Sequence, residues 1–238
     1  MTRFLSFILF VLAFSSVRAN DPVDHSSWDA MLKKYVSPKG KVNYKAWKSD
    51  TTALVAYLKV ISANPPKGSW TSNQKKAYWM NAYNAYTVRL ILDRYPVKSI
   101  KNIGGFIDPW KIKFFSIGGQ KMDLNHIEHK ILRVEFNDPR IHAGINCASN
   151  SCPRLSTTAF TGDNVEAELE KLMKEFVNDP TKNKIAADKI ELSEIFNWFE
   201  KDFTKSGSLI DFLNKYSNTK ISASAKKSFL KYDWNLNE

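Results

Sequence analysis

The chain has 238 residues, of which 43% are hydrophobic, 13% aromatic and 25% charged. These fractions exclude an intrinsically disordered chain, a collagen-like repeat and a protein with many membrane spans. The formal net charge is +11 at pH 7, and the two cysteines are too few for a disulfide-stabilised scaffold. At this length the default expectation is one domain with a sizeable hydrophobic core.

The first residues have the pattern of a cleavable secretory signal. An apolar run from Phe4 to Phe14 is followed by small residues at the positions that precede a cleavage site after Ala19. The run has about 11 residues, short of the ~20 that a membrane-spanning helix needs. The sequence therefore predicts that residues 1–19 are removed. Residues 20–238 are predicted to form one exported domain, periplasmic or secreted, without a stable membrane anchor.

The predicted elements of the first half are helices followed by a hairpin. Apolar spacing and capping signals predict three helices: Ser26 to Val36, Tyr44 to Ser62 and Ser72 to Tyr95. The third helix is rich in aromatic residues and apolar on most faces, so we expect it in the centre of the domain. A Gly118-Gly119 turn within Lys113 to Met122 predicts a β-hairpin. A helix from Leu124 to Leu132, capped by Asp123, is predicted to follow.

The second half mixes strands and helices. The segment from Arg140 to Asn146 is short, apolar and partly β-branched, which predicts a buried strand that ends at Cys147. The other predicted elements are an amphipathic helix, a hairpin, two helices and an edge strand: Asp163 to Val177, Lys184 to Leu192, Ile195 to Phe203, Ser208 to Tyr216 and Ser228 to Leu236. Helices first and strands later predict an α+β fold, helix-rich with a small antiparallel sheet.

The densest cluster of reactive side chains lies between Asn125 and Pro153. It contains three of the four histidines and both cysteines. Cys147 stands where the predicted strand gives way to a loop of small residues, which leaves room for a substrate. A thiolate nucleophile needs that access, a nearby imidazole to lower its pKa, and donors for a developing oxyanion. The sequence therefore predicts Cys147 as a nucleophile, with the flanking Asn146 and Ser149 as substrate-binding residues.

The predicted strand also decides which imidazole acts as the base. In an extended strand His142 would point to the opposite face from Cys147, at a distance of ~16 Å. That is out of hydrogen-bond reach unless Gly144 bends the chain sharply. His129 belongs to a different element and is free to fold over the sulfur. It is therefore the predicted base.

Several side chains are candidates to orient the ring of His129. Asn125 is four residues earlier on the same helix face, whereas Glu128 points about 100° away. Asn81 and Asn84 are three residues apart on one face of the buried helix, and buried amides must find partners. They are predicted either to supply the third catalytic group or an oxyanion donor, or to cap the backbone of a neighbouring loop.

Three other interpretations of these residues stay open. The first is a structural disulfide between Cys147 and Cys152, which export would allow. The second is a zinc site formed by His142 with residues of the preceding helix: His126, His129 or Glu128. No known zinc-binding motif supports that site, so no metal or other cofactor is predicted. The third is a binding module for an acidic partner, favoured by a net charge of +9 once Arg3 and Arg18 are removed.

Four ordered motifs resemble the family called domain of unknown function 547: Y-W-M-N-A-Y-N-A-Y, L-N-H-I-E-H-K-I-L-R, D-P-R-I-H-A-G-I-N-C-A-S-N-S-C-P and Y-D-W-N-L-N. The resemblance covers residues 72–238. That family is similar to papain-like and transglutaminase-like thiol enzymes in a rearranged order, with His before Cys. The resemblance therefore implies a permuted papain-like architecture.

The same resemblance implies roles for individual residues. It implies Cys147 as the nucleophile and His129 as the base, with Glu128 and His142 as secondary candidates because they fall within the motifs. Relatives that carry Ser at the position of Cys152 imply that this cysteine is accessory and that a disulfide is not obligatory.

These inferences predict an exported cysteine hydrolase or acyl-transferase that acts on an amide, peptide or isopeptide bond. Its partner is a peptide-like or amide substrate, and nucleic acid is not expected for an exported chain without a nucleic-acid-binding motif. The alternative is a non-enzymatic exported binding module for an acidic partner, with Cys147 and Cys152 joined in a structural disulfide.

Overall fold

The computed structural model describes residues 21–238, so the predicted secretory signal lies outside the described residues. Within this range no helix is both long enough and apolar enough to cross a membrane. The fold is α+β and rich in helices, as predicted. Over residues 21–238 the β-structure comprises a two-stranded antiparallel sheet and a three-stranded mixed sheet, whereas the sequence predicted antiparallel pairing alone.

Three helices form the N-terminal part of the described chain: α1 (Ser26–Tyr35), α2 (Tyr44–Ser49) and α3 (Thr52–Ala63). The single helix predicted from Tyr44 to Ser62 is wrong, because Asp50 adopts an extended conformation and separates α2 from α3. The aromatic ring of Trp28 packs against Trp47 and Tyr57 with ring centroids 5.8 and 5.7 Å apart. These contacts fix the three helices to one another.

The central helix is α4 (Ser72–Arg94), and its burial on most faces confirms the prediction. A capping box fixes its start: the Thr71 hydroxyl accepts from the N–H of Gln74, and the Gln74 side chain accepts from the N–H of Thr71. α3 and α8 (Val165–Asn178) pack against it. The helix is therefore the scaffold on which the later segments are mounted.

The predicted hairpin is confirmed. Strands β1 (Phe115–Ile117) and β2 (Gln120–Met122) pair in antiparallel register across Gly118 and Gly119. Both glycines have positive φ, of 59° and 80°, which residues with a Cβ adopt with difficulty.

The segment after the hairpin is helical but not uniformly α-helical. Asp123 caps it by accepting from the N–H of His126, as predicted. The backbone then passes through α5 (Leu124–His126), a π-helical turn (Ile127–Leu132) and α6 (Arg133–Glu135). π-Helical turns are rare and are frequent at functional sites.

The buried strand predicted from Arg140 to Asn146 is wrong. Residues Ile141–Gly144 form a short helix, α7, after which Ile145 is extended. The turn begins at Asp138, whose carbonyl accepts from the N–H of Ile141 and whose carboxylate accepts from the N–H of Arg140. The apolar residues of this segment are buried by packing against α8, and not by pairing with a strand.

The remaining elements build the mixed sheet and its crossover: β3 (Lys184–Ile185), β4 (Lys189–Leu192), α9 (Glu194–Trp198), α10 (Glu200–Phe203), α11 (Leu209–Leu213) and β5 (Lys226–Phe229). β3 and β4 are antiparallel, as predicted, whereas β4 and β5 are parallel. The edge strand predicted from Ser228 to Leu236 is confirmed only at its start. Beyond Phe229 the chain turns towards the loop that follows α7 and contains Cys147, called the Cys147 loop below. Leu236 pairs there with Ser149.

Candidate thiol site

Cys147 lies in the wall of a pocket of about 210 Å³. The pocket brings together five side chains that the sequence analysis singled out: Asn125, Glu128, His129, His142 and Cys152. These residues come from α5, from the π-helical turn, from α7 and from the loop that follows α7. The predicted cluster of reactive side chains is therefore also a cluster in space.

The side-chain amide of Asn84 fixes the start of the Cys147 loop by two hydrogen bonds. Its Nδ2 donates to the carbonyl of Gly144 at 2.9 Å, and its Oδ1 accepts from the N–H of Asn146 at 2.8 Å. Asn81 makes the same pair of bonds to Phe160, at 2.7 and 3.0 Å. Both amides thus cap backbone segments, and within the described chain neither of them lines the thiol pocket.

The two predicted substrate-binding residues serve the loop itself. Asn146 donates to the carbonyl of Pro153 at 2.8 Å and accepts from the N–H of Ala148 at 2.9 Å. These two hydrogen bonds stabilise the loop in a conformation in which Ala148 has a φ of +60°. Asn146 and Ser149 are buried, and both line a second cavity, of about 690 Å³, which is distinct from the thiol pocket.

The Cys147 sulfur is surrounded by hydrogen-bonding groups. It lies 3.1 Å from Ser149 Oγ and 3.3 Å from the hydroxyl of Tyr232, and these two hydroxyls are 3.0 Å apart. The Cys147 N–H donates to Cys152 Sγ at 3.0 Å. Both thiols of the described chain are free, so no disulfide joins them in this structure.

This environment separates the acidities of the two thiols. Hydrogen bonding by Cys152, followed by that of the Ser149 and Tyr232 hydroxyls, outweighs burial and lowers the pKa of Cys147 to about 6. Burial raises the pKa of Cys152 well above its usual range. Cys147 is therefore the thiolate of the pair at neutral pH.

The two imidazoles in the pocket belong to one chain of polar contacts. His142 Nε2 is 2.8 Å from Oδ2 of Asp202, on α10. Arg133 donates to the same carboxylate, with Nε 2.6 Å from Oδ2, and its Nη1 is 2.9 Å from His129 Nδ1. Both histidine rings also stack on Phe199, at centroid distances of 4.0 Å for His142 and 6.1 Å for His129.

These hydrogen-bond partners determine which nitrogen of each imidazole ring carries the hydrogen. An ionised carboxylate only accepts, so His142 carries its hydrogen on Nε2 and keeps the lone pair of Nδ1. A guanidinium only donates, so His129 accepts on Nδ1 and carries its hydrogen on Nε2. Burial is the main cause that lowers the pKa of both rings, and Arg133 opposes the charged form of each. Both rings are thus neutral at pH 7.

Glu128 contributes a carboxyl group to the same pocket. It is buried, and its Oε2 accepts from the hydroxyl of Tyr83 at 3.1 Å. Burial raises the pKa of Glu128 to about 7, although the bond from Tyr83 acts in the opposite direction. The pocket therefore holds an acid that titrates close to neutrality.

Sequence reasoning missed Arg133, Asp202 and Tyr232. Tyr232 falls within the fourth motif, Y-D-W-N-L-N, which was its signal. Asp202 had no local signal, because it lies in a short helix 60 residues from His142. Sequence reasoning also missed the three tryptophans of the pocket: Trp110, Trp198 and Trp234.

The proposed alternatives can be compared with the same geometry. Among residues 21–238, no group of three or more His, Cys, Asp or Glu side chains is arranged to hold a metal ion. His142 is turned to Asp202 and His129 to Arg133, so their partners are protein groups.

Comparison with known proteins gives a family match. Residues 68–177 match the family described as "Protein of unknown function, DUF547". No curated protein and no solved structure matches the chain. The matched residues include α4, the π-helical turn and the Cys147 loop, whereas Asp202 and Tyr232 lie beyond them. The match covers 110 of the 238 residues, so this part of the chain is similar to the DUF547 family.

Proposed function

We propose that this protein is an exported cysteine hydrolase or acyl-transferase that acts on an amide, peptide or isopeptide bond. The observation that carries the proposal is the Cys147 sulfur, with its pKa lowered to about 6, in the wall of a pocket shared with two imidazoles. A thiolate at neutral pH is a strong nucleophile, and a pocket admits a substrate to it.

In the proposed reaction the Cys147 thiolate attacks the carbonyl carbon of the substrate. A carbon–sulfur bond forms, and the carbonyl π electrons move to the oxygen. The Tyr232 and Ser149 hydroxyls, which face the sulfur, are donors for that oxyanion. The oxyanion then collapses and the carbon–nitrogen bond breaks, and the leaving nitrogen takes a proton from solvent water because Cys147 is already a thiolate. Water hydrolyses the resulting thioester, or a second amine accepts the acyl group.

We assign the proton transfer of the second step to His142. Its Nδ1 lone pair accepts the proton of the water or amine that attacks the thioester, and Asp202 at 2.8 Å stabilises the imidazolium that forms, which then returns the proton to solvent. The objection to His142 came from an extended strand, and residues Ile141–Gly144 are helical. His129, the base expected from the sequence, has its lone pair on Nδ1 occupied by Arg133. In this scheme its Nε2–H is a hydrogen-bond donor to the substrate.

The carboxylate–imidazole–thiol combination supports the permuted papain-like arrangement as part of this proposal. The proposed base precedes the nucleophile in the chain, and its carboxylate partner follows both. Convergent thiol enzymes are identified by the geometry and roles of such groups, and not by their order in sequence.

Alkylation with iodoacetamide across a range of pH tests the nucleophile. We expect the rate at Cys147 to reach half its maximum near pH 6, and Cys152 of the same chain to remain unmodified because it is buried. Peptide mapping by mass spectrometry separates the two sites. A half-maximum near pH 8.5, the range of an ordinary thiol, would contradict the proposal.

Acyl transfer is tested with p-nitrophenyl acetate, an activated ester that needs no recognition of its leaving group. We expect stoichiometric acetylation of Cys147 and none in Cys147→Ala. His142→Gln should slow the release of acetate from the acetyl-enzyme by about 10²-fold or more, and His129→Gln by less. The matched control is His25→Gln, because His25 is also buried and bonded, at 2.7 Å to Tyr57, but lies outside the pocket. A rate of acetate release in His142→Gln equal to that of the His25→Gln control would reject His142 as the base.

A further inference from the structure

Two apolar side chains project from a loop beside the thiol pocket. Phe106 is fully exposed, and Ile107 is 59% exposed. Single exposed apolar residues are ordinary, but two adjacent ones at the tip of a loop form a surface that water solvates poorly.

The backbone of the loop holds these side chains outward. The N–H of Ile107 donates to the carbonyl of Gly104 at 3.0 Å, which closes a tight turn around Phe106. Gly104 has a φ of +93°, and a Cβ there would lie 2.6 Å from the carbonyl oxygen of Ile107. Gly105 also has a positive φ, of 61°. The exposure of Phe106 is thus specified by a turn that requires glycine.

Basic residues flank this loop on both sides. Residues 98–113 contain four lysines and a single acidic residue, Asp108, which gives the segment a formal net charge of +3. The four lysines are all exposed: Lys98, Lys101, Lys111 and Lys113. Asp108 lies 3.7 Å from Lys111, so its charge is partly compensated.

The loop is continuous with the mouth of the pocket. Asp108 and Trp110, directly after the tip, line the pocket. Lys101 Nζ lies 4.7 Å from the ring centroid of Trp234, which stacks on Trp198 at 5.6 Å. Trp198 is itself 47% exposed. Tryptophan is favoured where an apolar environment meets water.

We propose that this protein binds the surface of an anionic lipid bilayer through residues 104–108. Phe106 and Ile107 enter the acyl-chain boundary, and the flanking lysines contact the anionic headgroups. An apolar tip combined with neighbouring basic residues is the combination that peripheral membrane binding requires, since each contribution alone is weak. Binding in this orientation presents the mouth of the thiol pocket to the membrane.

Co-sedimentation of the purified protein with vesicles tests the proposal. We expect binding to phosphatidylcholine vesicles that contain phosphatidylglycerol, weaker binding to phosphatidylcholine alone, and a decrease with added salt. Phe106→Asp should lower the partition coefficient by about tenfold or more. The matched control is Val134→Asp on α6, which replaces another exposed apolar residue, at 68%, and should change binding by less than about twofold.

Charge variants test the second half of the surface. Lys113→Gln should weaken binding by about fivefold at low salt, and Lys226→Gln on β5 should not. Cys147→Ser should bind vesicles as the wild type does, which separates membrane binding from thiol chemistry.

Three results would overturn the proposal. The first is equal binding by Phe106→Asp and the wild type, and the second is an equal loss in Phe106→Asp and Val134→Asp. The third is a dimer in sedimentation velocity that becomes a monomer in Phe106→Asp without any effect on vesicle binding. In that case the tip would be a contact between two copies of the chain.

Discussion

Glu128 makes the stability of this protein depend on pH in an unusual direction. Burial raises the pKa of its carboxyl from an ordinary 4.5 to about 7 in the folded state. Between these two values the folded chain binds the proton more tightly than the unfolded chain does. The contribution of Glu128 to the free energy of unfolding therefore falls as the pH rises from 4.5 to 7. Above pH 7 this contribution is constant.

Glu128→Gln should remove this pH dependence, because the amide is neutral throughout. Relative to the wild type, we expect the variant to gain stability between pH 5 and pH 8, on the order of 3 kcal/mol. Urea unfolding at several pH values measures the difference. Glu135→Gln, at an exposed position on α6, is the control. Parallel pH curves for the wild type and Glu128→Gln would show that the carboxyl is not held in its neutral form.

The hydroxyl of Tyr232 is expected to help set the acidity of Cys147. It lies 3.3 Å from the sulfur, and a donor at that position favours the thiolate. Tyr232→Phe should therefore move the pH midpoint of Cys147 alkylation upward by about one unit. The control is Tyr95→Phe, which removes a hydroxyl that is bonded to Glu238 outside the thiol pocket. An unchanged midpoint in Tyr232→Phe would mean that the thiolate is stabilised without this donor.

The end of α7 is tightly packed. Gly144 ends this helix, and a Cβ there would lie 2.0 Å from Met80 Cε and 2.8 Å from Leu169 Cδ2. Gly144→Ala should cost about 1–3 kcal/mol and displace the carbonyl that Asn84 holds, which slows alkylation of Cys147. Guanidinium unfolding and the alkylation assay measure the two effects.

Gly68→Ala is the matched control for that substitution. Its Cβ would meet no atom within 4 Å, and its φ lies outside the left-handed region. We expect no loss of stability, because removing backbone freedom from the unfolded chain favours the folded state. If Gly144→Ala were as stable as Gly68→Ala, the packing of α7 against α4 would have to be looser than these distances indicate.

Elements with strong local signals were the ones that could be predicted. α4 is rich in aromatic and apolar residues and contains no Gly or Pro, and the hairpin has two glycines at its turn, so both follow from the sequence. The error at Arg140 to Asn146 has a physical cause. Buried apolar residues fit a strand or one helical turn equally well, and packing against α8 decided between them.

At the scale of the whole molecule, the candidate site joins segments that are distant in sequence. Cys147 and Tyr232 are separated by 85 residues, and His142 and Asp202 by 60. Local composition therefore identified the thiol and the histidines, which lie within one short stretch. It could not identify Asp202, because the pairing of that carboxylate depends on how α10 packs in three dimensions.

These long separations link the chemistry of the sulfur to the progress of folding. A partly folded chain in which residue 232 has not yet reached the Cys147 loop carries a cysteine of ordinary acidity. Contacts between distant segments generally form late and slowly. Nascent and misfolded copies would thus be chemically quiet at mildly acidic pH, and the appearance of a reactive sulfur would report the completion of the native structure.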